Sequence, residues 1–96
     1  MNRSLALSLL AQHRAALAAR FGVTALALFG STARGSADNA SDVDVLVDFD
    51  GPATSARYFG VQFYLEDLLG CAVDLVTEKA LRPELRPAIK GEAVYV

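Results

Sequence analysis

With 96 residues, 53% of them hydrophobic, the chain has room for one domain with its own core, residues 1–96, and none for a second. Nine Lys and Arg against eleven Asp and Glu give a net charge of -2, so no general electrostatic attraction to nucleic acid or to an anionic membrane is expected. The single cysteine excludes an internal disulfide, and no apolar run approaches the roughly 18 residues needed to span a bilayer.

The N-terminal MNRSLALSLLAQHRAALAA has the positive start and A-x-A-like end of a secretion signal. Gln12, His13 and Arg14 break its apolar run, however, and without this segment too little chain remains to cover a sheet. The expectation is therefore an amphipathic helix in a cytoplasmic protein, which the absence of disulfides also suits. That helix should run from Ser4, its cap, to Arg20, with Leu10, Leu17 and Phe21 on one face and Leu5 and Leu9 beside them. His13 falls on its polar side as a solvated residue, and Gly22 ends it.

Val23 to Phe29 reads as a short buried strand that stops at Gly30. STARGSADNA follows, a loop with room for one helical turn, in which Asp38, Asn39 and, just beyond, Ser41 shape the chain. SDVDVLVDF alternates strictly, with Val43, Val45, Val47 and Phe49 facing one way and Asp42, Asp44, Leu46 and Asp48 the other: a second strand. Ser55 to Leu69 is expected to form a helix whose Phe59, Phe63, Leu65, Leu68 and Leu69 cover the sheet. Its neighbouring Tyr58 and Tyr64 fit core packing better than a base-stacking platform. CAVDLVT reads as a third strand, next to a Cys71 thiol expected to be buried. A short helix from about Pro83 to Lys90 and an edge strand AVYV complete a two-layer α/β domain.

Three carboxylates stand out. Residues two apart in a strand share a face about 7 Å from one another, so Asp42 and Asp44 point the same way. At an effective dielectric near 20 they would repel by about 2 kcal/mol, and Asp74 on a neighbouring strand would add to this. Asp74 is flanked by apolar residues, where a lone carboxylate is costly unless hydrogen-bonded or bound to metal. Hard cations such as Mg²⁺ prefer carboxylate and phosphate oxygens, and two of them about 4 Å apart clamp the attacking and leaving oxygens of an in-line transfer. Gly30 and Ser31 at the end of the first strand supply a candidate phosphate cradle, with Arg34 as an auxiliary contact. Each part also has a plain reading: Gly-Ser is a common turn, and Asp-x-Asp is often the wet face of an edge strand. Lys79, Arg82, Arg86 and Lys90 form either a solvated basic patch or a face toward an acidic partner.

Taken together, Gly30-Ser31, ten intervening residues, Asp42-x-Asp44 and a later Asp74 resemble the nucleotidyltransferase superfamily related to DNA polymerase beta. The chain is most similar to the minimal nucleotidyltransferase domain, the antitoxin half of the HEPN/minimal nucleotidyltransferase toxin-antitoxin pairs. LLG, AVDLVTEKALRP and the terminal EAVYV extend the resemblance over nearly the whole chain. It implies an α+β fold, a short mixed sheet with helices packed on one side. It further implies two Mg²⁺ ions on Asp42, Asp44 and Asp74, with Asp74 helping to deprotonate the acceptor, and ATP held through its triphosphate by Gly30 and Ser31. The implied reaction moves AMP to a tyrosine hydroxyl of a cognate HEPN ribonuclease toxin, neutralising it. Two rival functions fit the same residues: an antitoxin that acts by binding alone, and a small-molecule adenylyltransferase of the aminoglycoside-modifying kind, for which no substrate domain is visible.

Overall fold

A computed structural model describes residues 1–36 and 42–96; the expectations for Asp38, Asn39 and Ser41 lie outside the described residues. Helix α1 spans Arg3–Phe21 and is capped by Asn2, whose side chain accepts the Leu5 amide, rather than by Ser4. Strand β1 (Val23–Phe29) leads directly into a one-turn helix, α2 (Gly30–Arg34). Strand β2 (Val43–Phe49), helix α3 (Ser55–Leu69) and strand β3 (Val73–Thr77) follow. A 3₁₀ turn (Glu78–Ala80), helix α4 (Arg86–Glu92) and a two-residue strand β4 (Val94–Tyr95) close the order. The last helix starts three residues later than the sequence suggests, because Pro87 rather than Pro83 occupies its first turn.

The four strands form one mixed sheet in the order β3-β2-β1-β4. β2 runs antiparallel to β1 and parallel to β3, and β4 adds antiparallel to the free edge of β1. The alternation in β2 is realised: Val43, Val45, Val47 and Phe49 face a core built with Ala6, Leu10 and Leu17 of α1 and Val61, Leu65 and Leu69 of α3. An irregularity between Val23 and Ala25 shifts the β1 register, so that Val23, Leu26 and Leu28 all reach this core despite their odd spacing. Leu46, on the acidic side of β2, is also buried, because Ala27, Phe29, Leu81, Ile89 and Ala93 build a smaller cluster on that second face. The C-terminal segment thus covers the face of the sheet around Leu46, between Asp44 and Asp48.

Helix α3 departs from expectation in its rotation. Phe59 and Phe63 are 49% and 64% exposed and stack on each other, while Val61, Leu65 and Leu69 cover the sheet. The helix carries more apolar residues than one face can bury, and the i, i+4, i+8 row of Val61, Leu65 and Leu69 takes the core. The rotation sets Tyr58, Gln62 and Glu66 along the outer edge of β3. There Tyr58 Oη and Gln62 Nε2 donate to the carbonyls of Leu75 and Val73, and the Val73 amide donates to Glu66 Oε2. The edge that would otherwise pair with another strand is thereby closed. Three smaller corrections concern α1 and its surroundings. Leu5 is 52% exposed. His13 is half-buried against Tyr64, whose hydroxyl meets its Nδ1. Cys71 is only partly buried at the margin of the core. Helices α1 and α3 meet closely at Gly60, where an added Cβ would clash with the Phe21 ring.

Candidate active site

The pairing of the strands decides which charges meet. Asp44 stands opposite Phe29 in β1 and opposite Asp74 in β3, so one rung of the sheet runs Phe29, Asp44, Asp74. Directly opposed residues project to the same face, and neighbouring strands lie about 4.8 Å apart, so the two carboxylates are side by side. Asp42 precedes β2 on the same face and is exposed. Asp74 is exposed as well, which corrects the expectation of a carboxylate enclosed by its apolar neighbours: Val73 and Leu75 point into the core, and Asp74 points out of it.

Gly30 lies directly over Asp44. Its φ is +70°, and an added Cβ would fall inside the Asp44 carboxylate, so both the backbone conformation and the space require glycine. From there α2 carries Ser31, Thr32, Ala33 and Arg34 away from the rung. Thr32 is buried, and its hydroxyl finds no hydrogen-bond partner among the described residues. Arg3 of α1 donates from Nε to the Ala33 carbonyl at 2.9 Å, tying this turn to the first helix.

Electrostatics follow from this placement. The Asp44 carboxyl is held above its ordinary value, first because burial disfavours the charged form. The charge of Asp74 and a hydrogen bond to it come next, followed by the charge of Asp42; Arg34 acts in the opposite sense. A cation between the carboxylates would relieve these causes. The donor set is all oxygen and fits a hard divalent ion such as Mg²⁺. Among the described residues no three acidic, His or Cys side chains close around one point, so Asp44 and Asp74 form the close pair and Asp42 joins from the strand end. The structure therefore brings Asp42, Asp44, Asp74 and Gly30 into one locality, with Ser31 and Arg34 on the turn that leaves it.

Glu92 is not singled out by the sequence. The last residue of α4 reaches this site with its carboxylate, which accepts from the Gly30 amide at 3.1 Å and from Arg34 Nη1 at 2.9 Å. Its only sequence signal was membership of the terminal EAVYV. Asp48, further along β2, keeps apart from the site and lines a shallow cleft with Glu78, Lys79, Arg86 and Lys90.

A family model described as a nucleotidyltransferase domain matches residues 10–96. Protein adenylyltransferase MntA of Thermococcus cleftensis is 42% identical over 89 residues, which cover 93% of this chain and 90% of that protein. Among solved structures, a candidate minimal nucleotidyltransferase superposes with a TM-score of 0.79 at 38% identity, covering 98% of this chain and 95% of the other. A toxin-antitoxin structure with AMP-PNP gives a TM-score of 0.70 at 20% identity over 99% of this chain and 72% of the other, a likeness of fold alone. Sequence match, fold and the acidic rung under Gly30 agree: the chain belongs to the nucleotidyltransferase domain family, as a minimal member akin to the protein adenylyltransferases.

Proposed function

We propose that this single domain is a cytoplasmic, Mg²⁺-dependent protein adenylyltransferase. In this reading it moves AMP from ATP to a tyrosine hydroxyl of a HEPN-type ribonuclease toxin and thereby neutralises it. The observation that carries the reading is the rung that sets Asp44 beside Asp74 beneath Gly30, with Asp42 at the strand end. The name of the Thermococcus relative supports adenylyl transfer to protein, and the toxin-antitoxin structure of the same fold supports the partner and the nucleotide.

Asp42, Asp44 and Asp74 would hold the metal, and Gly30, Ser31 and Arg34 the triphosphate. Bound there, Mg²⁺ supplies charge neutralisation and polarises the reacting phosphate. The acceptor oxygen attacks the α-phosphorus of ATP and forms the new O-P bond. The bond to the oxygen bridging toward the β-phosphate breaks, and pyrophosphate leaves. The hydroxyl proton passes to a carboxylate oxygen of Asp74, whose exposure leaves it open to an acceptor arriving from solvent. Little of the described chain is left to form an acceptor pocket, which suits an acceptor residue delivered on a partner protein.

The test is transfer of label from α-labelled ATP with Mg²⁺ into proteins of the source cell extract. One labelled band is expected with the wild type and none with the Asp42→Asn, Asp44→Asn double variant. Label retained by that variant would refute the assignment. Absence of label with both, alongside a partner bound equally by both, would instead support neutralisation by binding alone.

A further inference from the structure

The groups assigned to the triphosphate are already engaged within the chain. Glu92 Oε1 accepts from the Gly30 amide and Oε2 from Arg34, so a single carboxylate bridges both. This is the pairing a phosphate would make, two charge-assisted or backbone N-H bonds to one anion. The pairing of β4 with β1, Leu28 with Val94 and Ala27 with Tyr95, brings the end of α4 that precedes β4 beside the start of α2 that follows β1, and so Glu92 beside Gly30. The backbone on either side is anchored, since the Ala93 amide donates to the Ile89 carbonyl and the Val96 amide to the Leu26 carbonyl. Rotation of the Glu92 side chain alone is enough to free both groups.

We propose that Glu92 is an internal competitor for the phosphate-holding groups: its carboxylate must release Gly30 and Arg34 before nucleotide binds, and its return helps to expel pyrophosphate. This rests on the nucleotide reading above. The α-phosphate must sit at the Asp42, Asp44 and Asp74 carboxylates for transfer, so Gly30 and Arg34 serve the phosphates that leave. Competition therefore weakens ligands that carry those phosphates and spares AMP. Glu92 acts through other groups and is a positioning residue. The pairing with Arg34 is half-exposed, with side chains 55% and 32% accessible, so the contact is weak enough to be displaced.

The experiment is calorimetric titration of the full chain, as wild type, Glu92→Ala and Glu92→Gln, with three probes in the presence of Mg²⁺: AMP-PNP, inorganic pyrophosphate and AMP. Glu92→Gln keeps the size of the side chain and an acceptor for Gly30 but loses the charge toward Arg34, and thermal melts establish that each variant is folded. AMP-PNP and pyrophosphate are expected to bind about fivefold more tightly to the variants, the scale of an exposed ion pair, while AMP changes by less than about twofold. Unchanged or weaker binding of AMP-PNP and pyrophosphate, with the wild type still binding both, would overturn the proposal and make Glu92 a scaffold for Arg34. Equal tightening for AMP would also overturn it, as a general effect of removing negative charge. Binding of neither phosphate probe by any form would overturn the nucleotide reading itself, and this inference with it.

Discussion

Replacing Asp44 with asparagine removes one charge from the acidic rung while keeping the shape that fits beneath Gly30. In the metal-free protein Asp44 and Asp74 stand side by side, and carboxylates about 5 Å apart repel by roughly 3 kcal/mol at an effective dielectric of 20 and roughly 1 kcal/mol in water. Asp74 is exposed, so the lower part of that range applies, about 1 to 2 kcal/mol. For a domain of this size each kcal/mol moves Tm by about 4–8 °C, so Asp44→Asn should melt about 5–10 °C above the wild type in EDTA at pH 7. The direction with pH follows from the raised Asp44 value. A group whose folded value is raised contributes stability below its unfolded value, near 3.8 here, and that contribution is lost as pH rises through the folded value. Acidification should therefore close the gap, since a protonated Asp44 resembles asparagine. Added Mg²⁺ should close it from the other side by stabilising only the wild type. The assay is thermal unfolding followed by circular dichroism across this pH range with and without the metal. An Asp44→Asn protein no more stable than wild type in EDTA at pH 7 would refute the reasoning and show that ionised Asp44 is on balance a stabilising group.

Two further substitutions separate the backbone of the site from its charge. Gly30→Ala forces a side chain into a positive φ and into the Asp44 carboxylate, so urea unfolding should report a loss of about 2–4 kcal/mol, together with loss of AMP-PNP binding; wild-type values would contradict the close approach. Thr32→Val replaces a buried hydroxyl that has no partner among the described residues with a methyl of the same size, and should stabilise the fold by about 1 kcal/mol in the same assay. Destabilisation instead would reveal a hydrogen bond to that hydroxyl.

The existence and order of the main elements were legible because their signals are local. Strict alternation from Val43 to Phe49 fixed the two faces of β2, and Gly22 marked the end of α1, where it adopts left-handed backbone. The spacing of Gly30-Ser31, Asp42-x-Asp44 and Asp74 was likewise readable as a motif, with Asp42 and Asp44 on one face by the period of a strand alone. What the sequence could not supply was everything set by partners across space. Periodicity left α3 free to bury either Phe59 and Phe63 or Val61, Leu65 and Leu69, because apolar residues lie on more than one side of it; only packing against α1 and the sheet selected the second set. Asp74 looked enclosed from its neighbours in the chain, and only the direction of its strand face showed it open to solvent. The meeting of Asp44 with Asp74 depends on parallel register, and that of Glu92 with Gly30 and Arg34 on the antiparallel addition of β4 to the edge of β1. Turn and face preferences are written into neighbouring residues, whereas register is a property of two distant segments folded together. For this protein the acidic residues of the candidate site could be picked out along the sequence, and their meeting, with the contacts around them, came from the sheet.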